Sequence, residues 1–139
     1  MTSKKVFISS SVFIALVDRN HPKHQQAGAY FRYFAQEKYF LFTGYISIVE
    51  AYRKIASDIS PSLAREFLRA LVLGSVNVLY PSEGDMKAAV KAMVTAQASD
   101  LSFADAQISV LAYRNSIPQL ANFDYIHPLF GLTVFNLPI

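Results

Sequence analysis

Short apolar runs recur along the chain, each closed by small polar residues or glycine. Val6-Phe7-Ile8 is followed by Ser9-Ser10-Ser11, and Phe40-Leu41-Phe42 by Thr43-Gly44. Continuous apolar triplets of this kind predict strands covered on both faces. Val76-Asn77-Val78-Leu79 predicts a third strand, Gln119-Leu120-Ala121 a fourth and Thr133-Val134-Phe135 a fifth. Between them the period changes to that of helices. Val12, Phe13, Leu16 and Val17 start a short helix. Asn20-His21-Pro22 opens another, whose inward stripe is Ala27, Tyr30, Phe31 and Phe34. A helix over 45–57 carries Ile46, Val49, Glu50 and Arg53 on one side. Ser60-Pro61 starts the next, with Leu63, Phe67, Ala70 and Leu71 inward and Gly74 as its stop. Ser82, with Glu83 and Asp85 in the first turn, starts a helix bearing Met86, Ala89, Val90 and Met93. Strands alternating with helices predict an α/β fold with a mainly parallel sheet of four or five strands, in a single domain over 1–139.

The stretch 99–112 also reads as a helix, through Leu101, Ala104, Ile108, Leu111 and Ala112. Asp105 lies inside that apolar pattern, where an ionised group is costly unless a cation or hydrogen-bond donors compensate it. Ser102 and Asp105 have the spacing of a capping box, which supplies a local reason for the carboxylate. In open α/β sheets ligands bind beyond the carboxyl ends of the strands. Ser9 to Ser11, Thr43, and Asn122-Phe123-Asp124 follow predicted strands there, and right-handed crossovers return Glu50 and Asp105 to the same edge. Each acid has a plainer alternative: Glu50 with Lys54 as an i,i+4 pair, Asp124 as a turn aspartate. His21 and His24 read as solvated residues at a helix start, and His127 as a surface residue without a partner.

Composition narrows the class. Absence of cysteine excludes disulfide scaffolds, Cys-ligated zinc and thiol catalysis. Thirteen basic against ten acidic residues give +3, which permits nucleic-acid binding without arguing for it. The run after Lys4-Lys5 is interrupted by Ser9-Ser10-Ser11 and followed by Asp18-Arg19-Asn20, unlike a signal peptide, and a soluble, cytoplasmic protein is expected. A content of 53% hydrophobic and 14% aromatic residues is high for a monomer of this size, and predicts an apolar contact surface and a homodimer. The segment with Tyr30, Phe31, Tyr33, Phe34, Tyr39 and Phe40 is too dense for one helix face and its following strand, so part of it is expected to pack against a second copy. A receiver domain would show an acidic pair after its first strand, and phosphate loops need clustered glycines; the five glycines are scattered.

Val6-Phe7-Ile8-Ser9-Ser10-Ser11 and the apolar helix after it resemble the opening of a PIN domain. Thr43 through Glu50 is similar to that family's second segment, Asp100-Leu101-Ser102-Phe103-Ala104-Asp105-Ala106 to its third, and Asn122-Phe123-Asp124 with Phe130-Gly131 to its last. The resemblance covers nearly the whole chain and is closest to the toxin-like bacterial and archaeal branch called VapC. It implies a three-layer PIN-like sandwich and an endoribonuclease dependent on Mg²⁺ or Mn²⁺, with RNA as substrate and an antitoxin protein as partner. The residues it implies as catalytic and metal-ligating are Glu50, Asp105 and Asp124, with Ser11 and Asn122 as polar support. Clustered carboxylates are hard ligands suited to these ions. One position departs from the pattern: Ser9 stands where the family carries its first acid. A hydroxyl supplies an oxygen without charge, so weak metal binding is expected, and a PIN-fold module binding RNA or protein without cleavage is the alternative.

Overall fold

The structure, a computed structural model, describes residues 4–96 and 100–137. Five strands form one sheet in the order β3-β2-β1-β4-β5, with every neighbouring pair parallel. The strands are β1 (Lys5–Ile8), β2 (Phe40–Gly44), β3 (Val76–Leu79), β4 (Gln119–Ala121) and β5 (Thr133–Val134). The helices among the described residues are α1 (Ser10–Val17), α2 (His24–Gln36), α3 (Tyr45–Asp58), α4 (Pro61–Leu73), α5 (Glu83–Thr95) and α6 (Phe103–Arg114). Among the described residues no helix is long and apolar enough to cross a membrane.

The central strand explains its own sequence. β1 lies between β2 and β4, so side chains on both of its faces are covered. Val6 and Ile8 enter a core with Val12, Phe13, Tyr30, Phe34 and Ile55, from α1, α2 and α3. Phe7 points the other way, to Ile108, Leu111 and Leu120. Alternation across one strand thus feeds two helical layers, giving an α/β/α sandwich. A further small cluster, Ala89 with Ala106 and Val110, joins α5 to α6.

Several boundaries differ from the sequence expectation for local reasons. Pro22 lies before α2 instead of in its first turn: His21 N–H bonds Asp18 O and His24 N–H bonds His21 O, each at 3.0 Å, and α2 begins only at His24. The helix expected over 99–112 starts at Phe103 with Ser102 as its N-cap; Ser99 lies outside the described residues. From Ala106 to Ala112 every residue of α6 is buried, because α6 is covered by the sheet on one side and α5 on another, so no single stripe marks its inward face. On α3 the buried positions are Ser47, Ala51 and Ile55, with Val49 and Arg53 turned outward. The expected caps Ser60 and Ser82 are in place, accepting from Leu63 N–H at 3.0 Å and Asp85 N–H at 3.1 Å. Asp85 completes a reciprocal capping box, and Arg114 Nε stands 3.2 Å from its Oδ1, tying α5 to α6.

The aromatic segment packs within its own chain. Tyr30 and Phe34 are buried, and Phe34 has the rings of Tyr30, Phe31, Tyr33, Tyr39 and Phe135 around it at centroid distances of 4.8 to 6.4 Å. Phe135, just beyond β5, fills the centre of the group. Of the residues that pointed to a second copy, only Phe40 is strongly exposed. The apolar side chains that do reach solvent are elsewhere, chiefly Val72 and Leu73 at the end of α4 and Val94 on α5.

Candidate functional site

The chain from β1 leads to β2 and then β3 on one side of the sheet, and returns to β4 on the other side of β1. The carboxyl ends of β1 and β4 therefore flank the point where the connections diverge, the position at which open α/β sheets form a ligand crevice. Ser9 follows β1 there, and Asn122 follows β4. β2 runs into α3 without an intervening loop, which sets Glu50 two turns from the same edge. Close packing at this junction needs Gly44: a Cβ there would stand 3.0 Å from Phe7 and Leu111 side-chain carbons. Thr43, fully buried, donates its hydroxyl to Ile8 O at 2.7 Å and ties the ends of β2 and β1 together.

Glu50, Asp105 and Asp124 line one pocket of about 200 Å³, with Ser9 and Asn122 in its wall. Ser11 faces the adjoining cavity and reaches the site through hydrogen bonds. The Ser9 and Ser11 hydroxyls lie 2.9 Å apart, and both donate to Asn122 Oδ1, at 2.7 and 2.8 Å. Asn122 Nδ2 in turn donates to Asp124 O at 2.5 Å, and Phe123 N–H to Ser11 Oγ at 3.0 Å. Glu50 accepts a hydrogen bond from Ser10 Oγ, and no Glu50–Lys54 ion pair forms among the described residues. Lys54, one turn further along α3, lines the pocket instead.

Asp105 joins a local and a distant interaction. Its N–H donates to Ser102 Oγ at 3.0 Å, one half of the expected capping box. Its carboxylate does not return the bond to Ser102; Oδ2 accepts the backbone N–H of His127 at 3.2 Å. His127 has a partner after all: its Nδ1 is 3.2 Å from Asp100 Oδ1, and the Tyr125 hydroxyl donates to the other Asp100 oxygen. Tyr125 lines the pocket. The three residues latch the loop after β4 onto the segment before α6. His21 and His24 form no metal pair; each turns to nearby backbone, His21 Nδ1 accepting from Lys23 N–H and His24 Nδ1 lying 2.9 Å from Ala15 O. Ser10 and Lys54 enter the sequence reading only as part of the run after β1 and as a pair for Glu50, and Tyr125 does not enter it; all three line the pocket. Adjacency to Ser9 and the i,i+4 spacing from Glu50 were signals for the first two; Tyr125 had none.

Hydrogen bonding gives the latch a pH range. The Tyr125 hydroxyl, with His127 adding to it, holds the Asp100 carboxyl below its ordinary 3.8, and the same hydrogen bond pushes the Tyr125 phenol above its ordinary 10.0. The Asp100 contribution to stability is present above its unfolded value and lost as pH falls through the depressed one. The Tyr125 contribution is present below 10.0 and lost as pH rises through the raised value. Tyr125→Phe is therefore expected to melt below the parent at neutral pH, with the difference disappearing in acid. A difference that persists unchanged in acid would contradict the latch.

Divalent metal ions test the donor set directly. Among the described residues no three His, Asp or Glu side chains stand close enough together to hold an ion. Ser9 adds no charge, and its hydroxyl is engaged with Asn122 and Ser11. As arranged, the three carboxylates share a pocket without standing close enough to coordinate one ion together.

An all-parallel α/β/α sandwich with carboxylates gathered at the carboxyl edge of its sheet defines a class of acidic-pocket domains. The PIN domain family model matches residues 6–128, and the chain belongs to that family. No curated protein sequence matches it significantly. Among solved structures it is similar in fold to Mycobacterium tuberculosis VapC20, described as a sarcin-ricin loop cleaving toxin. The two share 19% sequence identity with a TM-score of 0.74, over 86% of this chain and 89% of that one.

Proposed function

We propose that this chain is a toxin-type endoribonuclease of the PIN family, with the pocket of Glu50, Asp105 and Asp124 as its site. The observation that carries this reading is that carboxylates from three distant parts of the chain line one pocket at the strand ends. Membership of the family and the fold likeness to a VapC toxin support RNA as the substrate and an antitoxin protein as the partner. Within the pocket the chain's own groups fix the acids: Ser10 holds Glu50, and the His127 N–H holds Asp105. Hydrolysis by Mg²⁺ or Mn²⁺, which the family implies, is proposed to be weak here because Ser9 leaves the site one charge short.

The closed network of Ser9, Ser11 and Asn122 favours a second reading, a pocket that binds RNA or protein without cleaving. One assay separates them. A mixed RNA pool is incubated with the protein in millimolar Mn²⁺ and in chelator, with Asp105→Asn as control. Metal-dependent cleavage that Asp105→Asn removes supports the nuclease. Binding that persists in chelator, without cleavage in metal, supports the second reading.

A homodimer belongs to the same proposal; the apolar side chains most open to a second copy are Val72 and Leu73 at the end of α4 and Val94 on α5. Light scattering at tens of micromolar, without any partner protein, is expected to give twice the chain mass. A monomer mass would end that part of the proposal.

A further inference from the structure

A second cavity, of about 330 Å³, adjoins the acidic pocket and shares Lys54 and Asp124 with it. Its walls combine apolar side chains, Ile14 and Ile59, with Asp18, His21 and Asp58. That volume lies at the lower end of small-ligand sites, and the mixture of apolar walls with a few polar groups suits a single nucleobase. It is not a second metal site, since among the described residues no three acidic or histidine side chains stand close enough to hold an ion.

The geometry points to a base-reading subsite for one unpaired nucleotide, a guanosine beside the RNA phosphate held at Lys54. This rests on the RNA reading above. Lys54 is placed for a phosphate because it stands at the junction of the two cavities and no carboxylate pairs with it among the described residues. The choice of base follows from hydrogen-bonding capacity. An ionised carboxylate only accepts. One oxygen of Asp18 accepts Asn20 N–H at 3.0 Å, and one of Asp58 accepts the Ser57 hydroxyl at 3.0 Å, which leaves the other oxygen of each for a ligand. Guanine presents two adjacent N–H donors on its Watson–Crick edge, whereas adenine and cytosine present one amino group and uracil one imino group. Guanine also carries a carbonyl acceptor beside those donors. His21 meets it: Nδ1 accepts Lys23 N–H at 3.0 Å, so in the neutral ring the proton sits on Nε2, a donor. Bases of single-stranded RNA are read along this edge once they are splayed from their neighbours.

The test uses binding in EDTA, so that cleavage plays no part. Fluorescently labelled octauridylate is compared by anisotropy with the same oligoribonucleotide carrying one central guanosine or one central adenosine. The guanosine probe is expected to bind about tenfold more tightly than either of the others. Asp18→Asn with Asp58→Asn should erase that preference while leaving octauridylate affinity within about twofold; Asn keeps the oxygen that Asn20 N–H requires at position 18. Asp58→Asn alone, at an exposed position, is expected to remove about threefold of the preference and guards against a folding defect in the pair. Lys54→Ala should weaken all three probes equally and reduce the salt slope by about one. Binding without a guanosine preference, or a preference that survives both aspartate changes, overturns the subsite and leaves the RNA reading standing. Failure of every probe to bind overturns the subsite, and the RNA reading falls with it if the mixed RNA pool is also neither bound in chelator nor cleaved in Mn²⁺.

Discussion

Ser9→Asp is expected to lower the melting temperature in chelator and to raise it above the parent's gain when millimolar Mn²⁺ is added. Ser9 is 3% exposed, and its hydroxyl donates to Asn122 Oδ1 at 2.7 Å. A carboxylate placed there faces that amide oxygen, acceptor against acceptor. Turning the amide over would relieve the clash but would break the Asn122 Nδ2 bond to Asp124 O. The new charge also joins a pocket that already holds Glu50, Asp105 and Asp124. A buried polar group without a partner costs about 1–3 kcal/mol, and like charges add to it. For a domain of this size each 1 kcal/mol moves the melting point by roughly 3–5 °C. A divalent ion reverses the sign, because a ligand bound only by the folded state stabilises it by mass action, about 2.7 kcal/mol at a hundred times its Kd. The same variant is expected to cleave the RNA pool faster than the parent in Mn²⁺, and a further Asp105→Asn change should abolish the gain. An unchanged metal response and no new cleavage would remove the idea that this pocket is a nuclease site lacking one acid.

Phe34→Ala is the other change with a large expected effect, and it acts on the fold instead of the site. Phe34 is 1% exposed, and its ring touches an aromatic group reaching from α2 to Phe135. Removing a buried phenyl ring loses its transfer free energy and leaves a cavity that rigid aromatic neighbours fill poorly. The cost is about 3–5 kcal/mol, a large part of the stability of a typical domain. A fall of at least about 10 °C in melting temperature is expected. Because the contacts lie within one chain, the loss should be the same at micromolar and at tenfold higher protein concentration. A loss that shrinks as concentration rises would show that the aromatic segment is also part of an interface between copies.

How much of this was legible in the sequence depends on the reach of each interaction. Strand positions could be read because β1, with both faces covered, must be apolar throughout. The Ser60, Ser82 and Ser102 caps could be read because a cap binds an N–H three residues along, within one turn. Glu50, Asp105 and Asp124 stood out because each is an acid beside an apolar pattern or a strand end. Their partners could not be read. Ser10 meets Glu50 across 40 residues, Asp105 meets His127 N–H across 22, and Ser9 meets Asn122 across 113. His127 looked solitary because Asp100 reaches it only when the loop after β4 folds back against the start of α6. The aromatic segment looked like an interface because nothing local announces that Phe135 returns to fill it. The sequence by itself determined the order of strands and helices, since periodicity and caps are encoded within a turn or a strand, and it offered the three acids as candidates through their places beside strand ends and their likeness to the PIN pattern. Only the tertiary structure decided which neutral groups sit on Glu50 and Asp105, that Ser9 is closed into a network with Asn122, and that a second cavity opens beside the first, because those depend on where parallel crossovers bring distant segments together.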